Sequence, residues 1–373
     1  MDDFQARIEA LTQIFGARAR EHDEADRFVA ENFQELRERR ILSAPVPAAL
    51  GGGGVSHREI CEALRVLARG CSSTALALAM HAQLVAHQVW NERHGIRGRR
   101  LLQAVAADEL FLVSTGANDW LASSGRLVRT EGGYRFSARK AFVSGCPAGS
   151  LLLTSGPFDD PDGGPQVLHF AVPFSAEGVR IEEDWQALGM RGTGSHTVVL
   201  DDVFVPASDV HLKRPRGRFS PAFSVIVAVA VPCVVAVYVG IAEAAAAIAR
   251  QRAMASKDDP VLPLLIGEME NQLVTAQIAL ESMLDLANDY DFEPIVENAN
   301  AALIRKTIAI QATVSVVVKA VEATGGSAYF RSNGLERLLR DIHAGQFHPL
   351  PEKRQQMFSG RLALGLDPIP DLA

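Results

Sequence analysis

The hydrophobic period changes twice along this 373-residue chain, and that limits the architecture more than any single motif. From Asp2 to about Asp108 apolar residues recur at helical spacing. Phe4, Ile8, Leu11 and Ile14-Phe15 line one face, and Phe33 and Leu36 point inward from a charged helix over Glu31–Arg40. Ser72–Trp90 is an Ala-rich helix suited to close packing. From about Glu109 to Val210 the period is two. Gly125–Thr130, a turn at Glu131-Gly132-Gly133 and Tyr134–Val143 read as a hairpin. Leu151–Thr154, Val167–Val172, Val179–Glu183 and Thr197–Val205 read as further strands, and Asp159–Pro165 as a turn-rich loop. From about His211 the helical period returns, with Ser220-Pro221 as cap and first turn. Helices are expected over Ala222–Met254, Leu262–Asp289, Pro294–Thr324 and Leu335–Ala344, then a tail from Gly365. The pattern predicts an α+β protein. It has a helical domain over 1–108, a central antiparallel β-barrel or sandwich over 109–210, and a C-terminal four-helix bundle over 211–373.

Two stretches invite other readings. Gly51–Gly54 resembles a phosphate cradle, but no strand precedes it in a βαβ unit, so it reads as a turn after Pro45 and Pro47. Ser56 then caps the next helix, with Glu59 as its capping-box partner. Val225–Ala242 is apolar enough for a membrane span. It is rich in Ala and Val, contains Pro232 and has no positive flank directly after it, so it reads as a helix buried on all sides in a bundle or subunit interface.

The net charge of −7 and the lack of a Lys/Arg block argue against nucleic-acid binding. Cys61, Cys71, Cys146 and Cys233 form no CxxC pair, and a reducing, cytoplasmic setting is expected. Cys146 reads as a buried, inert thiol. The acidic start lacks the basic and apolar runs of a secretory signal.

Four segments carry a resemblance in order and spacing: Leu188-Gly-Met-Arg-Gly-Thr-Gly194, Asp202-Val-Phe-Val-Pro206, Gly325-Gly326 and Arg340-Asp341. They resemble the acyl-CoA dehydrogenase superfamily, flavoenzymes of helix–sheet–helix build. The resemblance implies a flavin between the β domain and the C-terminal bundle, and a homotetramer or homodimer. Gly325 and Gly326 would approach the cofactor of a neighbouring subunit. Phe142-Val143-Ser144-Gly145 resembles the strand that touches the flavin ring, which assigns Phe142, Val143 and Ser144 to the cofactor. Arg191 holds a phosphate or pins its own loop.

The chain departs from the dehydrogenases where their chemistry lies. Removing an α-proton needs a carboxylate. The family places it nine residues after the Arg of the Arg-Asp pair, which is Pro349 here, or ten before a glycine that matches Gly240, which is Ala230. Neither accepts a proton. Arg250-Gln-Arg-Ala-Met-Ala-Ser-Lys257 also lacks the Phe-Gly that follows the dinucleotide-binding Arg. These departures resemble the two-component flavin-dependent monooxygenases, of the dibenzothiophene and hydroxyphenylacetate monooxygenase kind. That branch receives reduced flavin (FAD or FMN) from a separate flavin reductase and reacts it with dioxygen. It implies catalytic roles for His348, Ser144 and His81, with a histidine base of near-neutral pKa.

Other readings stay open. A diverged dehydrogenase of CoA or carrier-bound acyl thioesters would use a displaced base such as Glu352, and a flavin-binding scaffold would use none. His81 in LALAMHAQL is equally a buried structural histidine. His343 reads as helix surface, and His343 with His348 lack the spacing of a zinc site, so no metal is expected. Arg340-Asp341 reads as a structural ion pair. Trp120 and Trp185 line the cavity or pack in the core.

Overall fold

The structure is a computed structural model that describes residues 2–115, 119, 121–255 and 258–369. Five helices come first: α1 (Asp2–Glu24), α2 (Ala30–Glu38), α3 (His57–Gly70), α4 (Ser72–Arg93) and α5 (Arg99–Asp108). Helix α3 starts on the expected capping box. The Glu59 backbone N–H donates to Ser56 Oγ, and the Ser56 backbone N–H to the Glu59 carboxylate at 2.9 Å. Gly51–Gly54 is a turn whose four N–H groups all go to backbone carbonyls between Ser43 and Ala48, so none is free to cradle a phosphate.

Among the described residues eight strands follow: β1 (Leu112–Ser114), β2 (Arg126–Thr130), β3 (Gly133–Lys140), β4 (Leu151–Asp160), β5 (Gly164–Pro173), β6 (Val179–Glu182), β7 (Thr197–Pro206) and β8 (Leu212–Pro215). They form two four-stranded sheets, ordered β1-β4-β5-β8 and β2-β3-β7-β6. Inward side chains join the sheets. Phe136 of β3 meets Phe170 of β5 edge-on at 5.1 Å, and Tyr134 meets Phe158 at 5.3 Å. Three details differ from the sequence expectation. The β1–β4 pair is parallel, because the chain leaves for the β2–β3 hairpin of the other sheet before returning. The loop expected over Asp159–Pro165 shrinks, since β4 and β5 stay paired as far as Asp160 and Gly164. The sheet also runs past Val210 to β8, which pairs with β5.

The helical return comprises α6 (Pro221–Met254), α7 (Leu262–Ala287), α8 (Val296–Thr324), α9 (Leu335–Ile342) and α10 (Glu352–Ala363). Two stretches, Pro221–Met254 and Val296–Tyr329, are long and apolar enough to cross a membrane by length and composition. The apolar window of the first is 94% buried inside the fold, where α6 packs on α3, α4, α7 and α8. Its valines are therefore accounted for by packing, each worth roughly 1.5–3 kcal/mol on burial. Gly240 sets the closest crossing: a Cβ there would lie 2.1 Å from the Arg65 carbonyl of α3.

Candidate active site

Two of the sequence motifs meet, the Leu188–Gly194 loop and Arg340-Asp341. The Leu188–Gly194 loop wedges between α9 and the N-terminal helices, and the backbones approach so closely that side chains are excluded. A Cβ at Gly189 would sit 2.5 Å from the Arg340 carbonyl group, and one at Gly194 (φ +54°) 2.7 Å from the Phe28 ring. Arg340 and Asp341 do not pair with each other, which corrects the ion-pair reading. Arg340 grips Asp23 at 2.5 and 3.1 Å, Glu336 at 2.8 Å and the Leu188 carbonyl at 3.1 Å. Asp341 is buried and accepts from the Met190 N–H at 2.5 Å and from the Ser72 hydroxyl. Burial raises its pKa, against those two donors.

From this anchor a hydroxyl relay runs to Ser144. Thr193 Oγ1 donates to the Met190 carbonyl at 2.8 Å. Thr193 Oγ1 also lies 2.6 Å from Ser195 Oγ, which lies 2.8 Å from Ser144 Oγ. Each hydroxyl has one proton. Either oxygen can donate in each of the two Oγ···Oγ contacts, and with Thr193 donating to the Met190 carbonyl the order runs from Ser144 to Ser195 to Thr193. In that order the Ser144 proton is committed to Ser195, and the half-buried Ser144 Oγ keeps its acceptor capacity. The turn that carries it is set by Val143 N–H to the His196 carbonyl (3.1 Å) and Gly145 N–H to the Thr193 carbonyl (2.8 Å). Val143 is buried, whereas Phe142 (φ +58°) is 58% exposed and meets Trp185 edge-on at 6.0 Å. Leu188, 65% exposed, belongs to the neighbouring loop. The exposed side chains here, Phe142 and Leu188, are apolar, and the Ser144 hydroxyl is the polar group close to Phe142 in the chain. The chemistry of this wall fits a planar ring with a polar edge.

His348 belongs to a second cluster. Its Nε2 lies 2.7 Å from the hydroxyl of Tyr238, a buried α6 residue. Lys306 of α8, also buried, donates to the carbonyls of His348 and Leu350, both at 3.0 Å, and so fixes the segment. Burial first, then the Lys306 ammonium, pushes the His348 pKa down to about 3, while burial brings Lys306 to about 8. His348 is therefore neutral at physiological pH, below the near-neutral pKa expected from its residue type. Among the described residues no hydrogen bond or ring contact joins His348 to Ser144 or His81.

His81 is spent on the fold. Its Nδ1 accepts from the Leu112 N–H at 3.0 Å, so its protonated Nε2 donates to the Leu42 carbonyl at 2.8 Å. Burial pushes its pKa to about 4. The ring packs on Phe111 (5.4 Å), which lies directly under Gly145, so His81 supports the Ser144 turn from behind. Arg191 holds the Ala187 carbonyl at 3.0 Å and lies 3.4 Å from Asp26, an arrangement that pins its own loop. Gly325 and Gly326 lie at the exposed end of α8, with nothing of this chain within 4 Å of an added Cβ. Ala230 is packed within α6, and Pro349 follows His348.

Several remaining expectations are also placed. Glu352 is a surface carboxylate paired with Lys353 at 2.7 Å, and its pKa is lowered by that partner. Arg250 is taken by Glu270 in two bonds of 2.6 and 2.9 Å. Cys146 is buried and its thiol is pushed up to about 12 by desolvation. Trp185 donates from Nε1 to the Met190 carbonyl at 3.1 Å. Trp120 lies outside the described residues. A surface hollow of about 670 Å³, lined by Glu9, Thr12, Gly16, Gly70 and Arg337, lies against α1 and α3, away from this wall.

Sequence reasoning missed Ser195, Thr193, Tyr238 and Lys306. The signals were present. Ser195 continues the Gly-Thr-Gly run, and Tyr238 and Lys306 are polar residues in apolar helices that must find partners.

The chain belongs to the acyl-CoA dehydrogenase family. Two family models, "Acyl-CoA dehydrogenase, N-terminal domain" and "Acyl-CoA dehydrogenase, C-terminal domain", match residues 3–108 and 232–352. Among its relatives are the putative acyl-CoA dehydrogenase YdbM of Bacillus subtilis (28% identical, covering 92% of both chains) and the amino sugar nitrososynthase RubN8 of Streptomyces rubradiris (30%, covering 89% of this chain and 82% of that one). The dibenzothiophene monooxygenase of Mycolicibacterium goodii is 28% identical over 91% of this chain and 88% of that one. A solved structure of KijD3 in complex with FMN and a dTDP-amino-keto sugar superimposes with a TM-score of 0.86 at 27% identity, covering 99% of this chain and 94% of that one.

Proposed function

We propose that this chain is a flavin-dependent oxidoreductase of the acyl-CoA dehydrogenase fold that works as a monooxygenase on a small organic molecule, taking up flavin already reduced by a separate reductase. Bound reduced flavin would supply the electrons that activate dioxygen. The observation that carries the reading is the proton order of the Ser144 relay. Reduced flavin presents an N–H at N5, whereas oxidised flavin presents a bare acceptor there. A serine whose proton is committed inward complements the first and opposes the second, a difference worth about 1–3 kcal/mol when a buried polar group is left unpaired. Ser144 would hold that N–H, and Phe142 and Val143 would flank the ring.

Three further points support the same reading. Neither family base position carries a carboxylate, and Glu352 is a solvated partner of Lys353. The Arg250 guanidinium is occupied by Glu270, which favours a mononucleotide over FAD. Relatives named as a monooxygenase and a nitrososynthase are as similar to this chain as the one named a putative dehydrogenase. His348, neutral and held by Tyr238, would exchange a proton with the substrate, and His81 would position the Ser144 turn. The open wall and the unoccupied space at Gly325-Gly326 suit completion by a second copy in a homotetramer, and a cytoplasmic location is proposed with it.

Turnover of reduced flavin with labelled dioxygen tests the reaction type. Label in the product is expected. Anaerobic oxidation of an acyl thioester with an artificial electron acceptor would replace this reading with the dehydrogenase.

A further inference from the structure

Between α3 and α6, apart from the Ser144 wall, three soft ligand atoms converge. His57 and Cys61 are one turn apart on α3 and share a face. Cys233 of α6 meets them where the two helices pack. Cys61 Sγ lies 3.8 Å from Cys233 Sγ, and His57 Nε2 lies 3.9 Å from Cys61 Sγ and 3.7 Å from Cys233 Sγ. All three side chains are buried, and none has a part in the proposed reaction.

These separations are those of ligands around one small ion. The centre of such a nearly equilateral triangle lies about 2.2 Å from each corner, within the roughly 2.0–2.3 Å of zinc–imidazole and zinc–thiolate bonds. A fourth donor is at hand: the Val229 carbonyl oxygen lies 2.9 Å from His57 Nε2 and 3.4 Å from Cys233 Sγ.

We propose that His57, Cys61 and Cys233, with the Val229 carbonyl, form a closed structural zinc site that staples α3 to α6. Charge favours this ion. Two thiolates and Zn²⁺ sum to zero, which a dry interior tolerates, whereas an unbalanced charge there is costly. Calcium or magnesium would need six or more oxygens, which this donor set lacks. Binding releases the two thiol protons to solvent. His57 moves its proton from Nε2 to Nδ1 and exchanges its bond to Val229 for one to the metal. A search for paired-cysteine spacing misses the site because the two cysteines are 172 residues apart. The readable half is the His57-x-x-x-Cys61 pair.

The test is cobalt titration of the whole protein after reduction and chelator stripping. The expected result is one equivalent of Co²⁺ per chain, with intense visible bands and a thiolate-to-metal charge-transfer band, both bleached by Zn²⁺, and a Tm raised by either metal. The Cys61→Ser/Cys233→Ser variant, with unchanged helical circular dichroism, should lose these bands and the metal dependence of its Tm. Should that variant not fold, Cys61→Ala and His57→Gln singly are each expected to shift or abolish the cobalt spectrum. A folded wild-type protein without the bands, bands unchanged in the variants, or a Cys61–Cys233 disulfide as the native state would each overturn the proposal.

Discussion

Two glycine-rich stretches of this chain are glycine for opposite reasons. In Leu188–Gly194 the chain crowds its own glycines: a Cβ would sit 2.5 Å from backbone at Gly189, 2.7 Å from a ring at Gly194 and 3.1 Å from the Val29 side chain at Gly192. At Gly325-Gly326 nothing of the chain lies within 4 Å. The first stretch is constrained by folding; at the second the fold itself leaves room for a side chain. The histidines divide in the same way. His81 has both ring nitrogens committed to backbone, whereas His348 is bonded through one nitrogen to the Tyr238 hydroxyl. Inward commitment assigns His81 and Gly189 to the scaffold, and the proposed site draws on the less committed His348 and Gly325-Gly326.

Four substitutions or titrations would break or sharpen that contrast. The largest effect belongs to Gly189→Ala, which should cost about 3 kcal/mol or more, because both clashing groups are backbone. Urea denaturation reads it, and a loss below about 1 kcal/mol would dissolve the contrast at its crowded end. His348→Ala is next. Product formation at saturating reduced flavin should fall about 10²–10⁴-fold, the usual worth of a positioned acid or base, with the fold retained. A change under threefold would place His348 with the scaffold.

The third effect is on stability against pH. His81 titrates at about 4 in the fold and near 6.5 when unfolded. Below 6.5 the unfolded chain takes up the proton first, so stability falls as pH drops from 6.5 toward 4. His81 accounts for on the order of 3 kcal/mol of this fall. Thermal melts across that range check it, and a flat profile would mean that the His81 ring is not held neutral. The smallest effect is Gly326→Ala, expected within about 0.5 kcal/mol of wild type in stability. Its consequence should appear in subunit assembly or flavin affinity, measured by sedimentation and fluorescence titration.

Much of the fold was legible because local rules agree with the global one. The Ser56–Glu59 box, the Glu131-Gly132 hairpin turn and Pro221 at a helix start each rest on a few adjacent residues. The parallel β1–β4 pair was not legible, since strand direction depends on a return from another sheet. The site divides along the same line. Ser144 could be found from its neighbours in Phe142–Gly145. The partners of its hydroxyl could not, because Ser195 lies 51 residues further along the chain and Thr193 joins through it. The pKa of His348 was likewise out of reach, since it is set by tertiary burial and then by Lys306, 42 residues away in the chain.

The central claim is that Ser144 faces the cofactor as an acceptor and so selects reduced flavin. It is tested most directly by flavin affinity in both redox states, measured anaerobically for wild type and Ser195→Ala. The account predicts at least about tenfold tighter binding of the reduced form, and a narrowed ratio once Ser195→Ala frees the Ser144 proton. Equal or tighter binding of oxidised flavin by the wild-type protein would contradict it.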